Sequence, residues 1–472
     1  MKIFNVCIRT FFLPCLVCLG VAFSPLVWAE TEQATIEENL PQGWRTGYET
    51  EPVFGSKMFW VEAGRKNSET IVLIHGLGQN GWRDWRKVMP LLAQEYRVVA
   101  FDLPGFGRSE VPTGKYSPSN YAVAVHSVLH QAGIKQFHLV GHSMGGAVAL
   151  RLATRYPTSV ERLVLISAAG ILERSTFAGH STALPLEAGM LSYFNALPKE
   201  VQGGISGLVR EIGGSILRWD ALPDPTALLS KSDTAWGTTL KGQPNMNAAF
   251  ALVGEDYSGD LTTLDVPTLV LWGEQDPVAP LRTGYLLAGQ IPDAELEIFP
   301  GMGHMPILYP DLVGPPITNF LQSKTSVSSS AGSEENHGDY QCSGQSGVQL
   351  SGHYQAIEIN DCQNVFLQDV TANSLQVNNS KLVGRNVNLG NSAIGLQADN
   401  AEIELTNAHI QGDIAVSVNA SQLDLAGVLI EGESEAVRAY QASEFVFSVS
   451  QMQTPDYQKN LHGVFTLGAP AQ

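Results

Sequence analysis

Short apolar runs rich in β-branched side chains recur through the first two thirds of the chain, and each ends in glycine or a polar turn. They lie at Thr70–Ile74 and at residues 96–101, 137–140 and 267–273, and residues 294–299 alternate as a half-buried strand does. Behind residues 137–140 the pattern changes from strand to helix. Gly141-His142-Ser143-Met144-Gly145 intervenes, and Gly146-Ala147-Val148-Ala149-Leu150-Arg151-Leu152-Ala153 follows. That order predicts a strand, a tight turn and a helix. Between the strand that ends near Ser167 and the one that starts near Val266 lie about ninety residues, too many for a plain loop, so residues 170–260 are expected to form a helical cap.

The pattern changes again near the C-terminus. Residues 323–333 hold six serines, a linker composition, and the linker is placed at 323–338. Beyond it, short β-type runs recur with Asn, Ser and Gly between them. Val377-Asn378-Asn379-Ser380-Lys381-Leu382 lines up with Ala398-Asp399-Asn400-Ala401-Glu402-Ile403. Val418-Asn419-Ala420-Ser421-Gln422-Leu423 and Tyr440-Gln441-Ala442-Ser443-Glu444-Phe445 follow in turn, and Ile359-Asn360-Asp361-Cys362-Gln363 fits more loosely. Gly412 and Gly432 repeat with the same period of about 20 residues. A period of that length with alternating strands predicts a β-solenoid over 339–472, in which each turn buries its apolar face by stacking on its neighbours. The asparagines at its turns are read as satisfying the backbone, the alternative being sugar ligands.

The strand–turn–helix at Ser143 carries candidate chemistry. A serine between two glycines at such a turn is forced into a strained conformation that lifts its oxygen above the sheet, beside the free N–H groups of the new helix. A serine nucleophile needs a base in reach and a carboxylate to orient that base. Asp276 follows the run at 267–273, and His304 follows the one at 294–299. They are assigned as acid and base, with Glu274 as the rival acid. Gly76-Leu77-Gly78 behind the run at 70–74 can approach the site closely, so the N–H groups of Leu77 and Met144 are expected to hold a developing oxyanion. His75 is read as bracing that loop. Asp102-Leu103-Pro104-Gly105-Phe106-Gly107-Arg108-Ser109 is read as a structural loop with Asp102 and Arg108 paired.

Together, His75-Gly76-Leu77-Gly78, the Asp102–Ser109 loop, Gly141-His142-Ser143-Met144-Gly145-Gly146, Asp276 and Gly303-His304 resemble the α/β-hydrolase superfamily over roughly residues 50 to 322. The closer likeness is to its small esterases, lipases and carbon–carbon bond hydrolases. The resemblance implies a mostly parallel sheet with a helical cap, and a Ser-His-Asp triad. Serine at the elbow argues against the branches that use aspartate there. No zinc-type cluster or phosphate loop is found, so no metal or cofactor is expected. The expected substrate is a small-molecule ester with an apolar, short-to-medium acyl group. Carbon–carbon or amide hydrolysis is the alternative, and a polysaccharide- or protein-binding role for the solenoid is the reading from a different class.

Lys2 and Arg9 precede an apolar stretch from Phe11 to Val27, and Val27-Trp28-Ala29 offers a small-residue cleavage site. Residues 1–29 read as a signal peptide of an exported, periplasmic or secreted protein, with a retained anchor as the alternative. The hydrolase portion is then 30–322. Without 1–29 the chain carries 26 basic side chains against 46 acidic, a net of −20, which disfavours nucleic acid and anionic membranes. Of five cysteines only Cys342 and Cys362 remain after cleavage, and a disulfide between them is expected. The residues 339–472 resemble small repeat domains of exported bacterial proteins. The linker suggests that the hydrolase portion works without them.

Overall fold

The computed structural model describes residues 40–183, 232–323 and 337–469. The signal peptide at 1–29, most of the linker and the middle of the cap lie outside the described residues. Eight strands form one sheet: β1 Arg45–Thr50, β2 Lys57–Ala63, β3 Thr70–Ile74, β4 Arg97–Phe101, β5 Phe137–His142, β6 Val160–Ile166, β7 Thr268–Gly273 and β8 Glu295–Phe299. Their order is β1-β2-β4-β3-β5-β6-β7-β8. The pairs β1–β2 and β2–β4 are antiparallel and the rest parallel. Strands β3, β5 and β7 are buried along their whole length, as parallel strands covered on both faces must be, which explains why they read as continuous apolar runs.

The described helices are α1 Met89–Leu92, α2 Pro118–Gln131, α3 Met144–Arg155, α4 Arg174–Ala183, α5 Asp233–Thr239, α6 Pro244–Leu252, α7 Leu281–Gln290 and α8 Pro310–Gln322. Helices α4, α5 and α6 belong to the expected cap. Among the described residues, no helix is long and apolar enough to cross a membrane.

The C-terminal portion is strand-rich: β9 Tyr340–Ser343, β10 Gln349–Asn360, β11 Val365–Asn378, β12 Lys381–Leu389, β13 Ile394–Asp399, β14 Glu402–Asn419, β15 Gln422–Ala439, β16 Ser443–Thr454 and β17 Tyr457–Leu467. All pairs are parallel except β16–β17, which closes the stack antiparallel. The register follows the sequence repeat. Val377 pairs Ala398, Ala398 pairs Val418, and Leu382, Ile403, Leu423 and Phe445 form one column. The corners between strands are left-handed. Asp361, Asn379 and Asn400 occupy one column with φ of 53°, 48° or less, and Asp369, Asn386 and Asn407 a second near 53°. Asn and Asp tolerate that conformation better than other residues with a side chain. Asn400 Nδ2 donates to Asn379 Oδ1 at 2.9 Å and Asn386 Nδ2 to Asp369 Oδ1 at 2.7 Å, so these amides form ladders.

The solenoid and the hydrolase portion lie in one compact unit, Gly43–Gln472. Ala426 and Val449 of the solenoid belong to the same apolar cluster as Leu286 and Leu287 of α7. Gln290 Nε2 donates to Gly427 O at 3.0 Å, and Asn407 Nδ2 to Tyr285 O at 2.7 Å. A Cβ on Gly289 would stand 2.1 Å from Asn407 Nδ2, so glycine is what allows helix and solenoid to touch. This packing weighs against the independence that the linker suggests.

Candidate active site

Strand β5 runs directly into α3 through Ser143, whose φ of 54° and ψ of −122° are strained for a residue with a side chain. A Cβ on Gly141 would lie 2.2 Å from Gly145 O, and one on Gly145 2.2 Å from Ile74 O. The two glycines flanking the serine are therefore sterically required. Ser143 Oγ is 2.9 Å from His304 Nε2. On the other side of the ring, Nδ1 is 2.8 Å from Asp276 Oδ2 and 3.0 Å from Oδ1. The structure thus brings Ser143, His304 and Asp276 into one hydrogen-bonded chain from the ends of β5, β8 and β7.

Asp276 is buried, which by itself raises a carboxyl's pKa. The hydrogen bond and charge of His304 and the N–H groups of Ala279 and Val278 outweigh that and hold it below the ordinary value. Oδ1 accepts those two N–H groups at 2.9 and 2.8 Å. An ionised carboxylate only accepts, so Nδ1 of His304 donates to it and Nε2 is left to accept the Ser143 hydroxyl hydrogen. Glu274 is exposed and accepts the Gly301 N–H at 2.8 Å. It takes part in shaping the loop before His304, and no hydrogen bond joins it to the ring.

The loop after β3 runs against the serine: a Cβ on Gly76 would meet Ser143 Cβ at 2.9 Å. Leu77 is thereby brought beside the nucleophile, and Met144 opens α3, where the first N–H groups of a helix have no intrahelical acceptor. His75 Nε2 accepts the Leu103 N–H at 3.0 Å, so its Nδ1–H donates to Gly76 O at 2.7 Å. Burial lowers its pKa to about 4. It joins two loops as a neutral brace. Gly78 N–H donates to Oδ1 of Asn245 in α6 at 2.9 Å. Asp102 is also structural. Its carboxylate accepts the backbone N–H groups of Trp82 at 2.7 Å and Arg108 at 2.8 Å, and burial raises its pKa to about 6.

Three contacts at the site carry no sequence signal. His142 Nε2–H donates to the His304 carbonyl at 2.8 Å. His180 of α4 donates from Nε2 to the Asp276 carbonyl at 2.9 Å. Asn245 is the third. Of the apolar residues in the cap region, Ile171 and Leu172 are buried in the core and Phe177 packs against it. Leu184, Leu191, Tyr193, Phe194, Leu197, Ile212, Ile216, Leu217 and Trp219 lie outside the described residues. In the solenoid the sulfurs of Cys342 and Cys362 are 2.05 Å apart, with 6.6 Å between Cα atoms.

The profile of the alpha/beta hydrolase fold family matches residues 69–311. An uncharacterized protein of Mycobacterium tuberculosis is 32% identical over 255 residues, covering 50% of this chain and 70% of that protein. A 2-hydroxy-6-oxononadienedioate/2-hydroxy-6-oxononatrienedioate hydrolase of Pseudomonas sp is 31% identical over 255 residues, covering 52% of this chain and 84% of the relative. A putative carbamate hydrolase of Pantoea ananatis is 29% identical over 277 residues, covering 57% and 94%.

Proposed function

We propose that this chain, which belongs to the alpha/beta hydrolase fold family, is an exported serine hydrolase that cleaves a carboxylic ester through an acyl-enzyme. The hydrogen-bonded chain Ser143–His304–Asp276 carries the reading. Ser143 Oγ attacks the ester carbonyl carbon while His304 Nε2 takes its proton. Asp276 stabilises the imidazolium. The N–H groups of Leu77 and Met144 receive the oxyanion, and losing one such donor typically costs about 10²–10³ in turnover. The tetrahedral intermediate collapses with the C–O bond breaking as His304 returns the proton to the leaving alcohol. Water, deprotonated by His304, then attacks the acyl-enzyme and releases the acid.

A net charge of −20 after signal removal disfavours strongly anionic substrates, which supports a mostly apolar acyl group. The second reading is carbon–carbon hydrolysis, favoured by the 31% identity to the relative named for a 2-hydroxy-6-oxo dienedioate. Export rests on Lys2, Arg9 and the apolar stretch before Ala29. Chain recovered from the periplasm or medium with Glu30 at its N-terminus supports it, and a chain retaining residues 1–29 in the membrane replaces it with an anchor.

The deciding experiment uses purified mature chain and p-nitrophenyl esters of two to sixteen carbons beside diketone, amide and carbamate substrates. The expected result is ester turnover with one optimum of acyl length, since each fitting methylene changes discrimination by about 1–3 kcal/mol. Ser143→Ala should keep the fold and lose both turnover and fluorophosphonate labelling. Turnover confined to a diketone selects the second reading, and labelling that survives in Ser143→Ala removes the nucleophile assignment.

A further inference from the structure

Asp424 lies on β15 of the solenoid, yet its carboxylate is shared between two helices of the hydrolase portion. Oδ1 forms an ion pair with Nη1 of Arg282 at 2.9 Å, outside hydrogen-bond geometry. Oδ2 accepts the hydroxyl hydrogen of Thr176 at 2.9 Å. Arg282 is in the first turn of α7, the helix that follows the Asp276 loop. Thr176 is in the first turn of α4. His180 is one turn further along α4 on the same face, and it is the residue that donates to the Asp276 carbonyl. The loop that carries Asp276 is thus flanked by two helices, and both are fastened to one carboxylate of the solenoid.

The fastening is a built site. Arg282 is buried, and it also donates from Nε to Thr406 Oγ1 at 2.8 Å and from Nη2 to Leu405 O at 2.9 Å and Asp424 O at 3.1 Å. Glu404 is the other carboxylate near it, at 3.5 Å. A guanidinium held by these three hydrogen bonds, with the Asp424 carboxylate as counter-ion, has one orientation. Beside it, the Glu173 N–H donates to the buried Ser448 Oγ at 2.8 Å, a second solenoid contact at the root of α4.

The geometry points to Asp424 as a positioning residue of the active site: through it the solenoid holds α4 and α7 on either side of the Asp276 loop and keeps Asp276 aligned on His304. This rests on the triad reading above. Among the described residues, Asp276, the Ser143 hydroxyl and the neutral ring of His142, whose centroid is 5.1 Å away, face His304. Asp276 is therefore the anion that stabilises the imidazolium form, and a loop that drifts withdraws it. His304 then loses the anion that stabilises its imidazolium, and Ser143 loses reactivity.

The test follows labelling of Ser143 by a small fluorophosphonate across pH in the full mature chain, a readout that needs the nucleophile and its base but assumes no natural bond. Asp424→Asn should label about tenfold more slowly and move the acid limb of the profile to lower pH by about half a unit or more. Thr176→Val should do the same more weakly, about threefold. The double variant should be no worse than Asp424→Asn alone, since both act through one carboxylate. If Asp424→Asn does not fold, Thr176→Val and Ser448→Ala carry the test. Folded variants with wild-type rate and acid limb overturn the inference. A wild-type chain that does not label at all removes the triad reading and this inference with it, a distinguishable result.

Discussion

His142 Nε2–H donates to the backbone carbonyl of His304 at 2.8 Å, so the residue before Ser143 holds the main chain of the residue that faces Ser143. The end of β5 thereby sets both partners of the proposed proton transfer. Burial first, and then the charge of His304, lower the His142 pKa to about 3. At neutral pH the ring is therefore a neutral donor. His142→Ala should leave KM near wild type and lower kcat by about 10- to 100-fold, the range expected for a small misplacement of a catalytic group. His142→Gln, which restores a donor, should recover part of the loss. An unchanged kcat in His142→Ala would show that the loop holds His304 without this bond.

Asn247, in α6 near the C-terminal end of the cap, joins three segments. Its Oδ1 accepts the Tyr116 N–H at 3.0 Å and the Trp236 Nε1–H at 2.6 Å, and its Nδ2 donates to Gly114 O at 2.8 Å. The residue is buried. Asn247→Ala leaves all three groups without their partner, which costs about 3 kcal/mol. Urea unfolding should show a lower midpoint with an unchanged slope. A loss within about 0.5 kcal/mol would mean that water replaces the amide.

The strands and the elbow were legible because burial on both faces forces continuous apolar runs, and because steric need forces glycine at 141 and 145. The solenoid register was legible at Val377, Ala398 and Val418 because stacking repeats the same environment each turn. His142, His180 and Asp424 were not. Their partners are far away in sequence, and nothing periodic marks a residue whose role depends on where two loops meet. The serine-rich linker suggests separation, while Gly289 of α7 and Gly427 of the solenoid, which let helix and solenoid approach each other closely, look like ordinary glycines in a sequence.

Cys342 and Cys362 close a loop at the first turn of the solenoid, with a sequence separation of 20. On the chain-entropy account a loop of that length stabilises by about 3 kcal/mol. The crosslinked peptide pair should appear in mass spectra of the non-reduced protein. Cys342→Ser with Cys362→Ser should lower the unfolding midpoint of the whole unit. Two freely alkylated thiols in the protein purified without reductant would rule the bond out.

Stability should climb with pH between about 4 and 6.5, because three buried imidazoles are held neutral. Burial is the largest cause in each case. It takes His75 and His138 from 6.5 to about 4 and His142 to about 3. Below 6.5 the unfolded chain binds protons that the folded chain refuses, so acidification through this window favours unfolding. Asp102 acts in the opposite sense. Its folded value of about 6 against 3.8 means that it favours the folded state at low pH, and that contribution is lost as pH rises to about 6. Asp84 and Glu297, also raised by burial, act with Asp102, and His126, lowered by burial, acts with the imidazoles. The three deeply buried rings depart furthest from their ordinary value, so the imidazoles dominate. Asp276, held below its ordinary value, adds to acid sensitivity under pH 3.8. His138 isolates the effect, since it lies in β5 away from Ser143, and the charge of Arg162 adds to burial in keeping its ring neutral. His138→Phe should keep the fold and flatten the rise of unfolding free energy with pH, measured by urea titration at constant ionic strength. An unchanged slope in His138→Phe would mean that its ring is protonated in the folded chain and that burial does not control it.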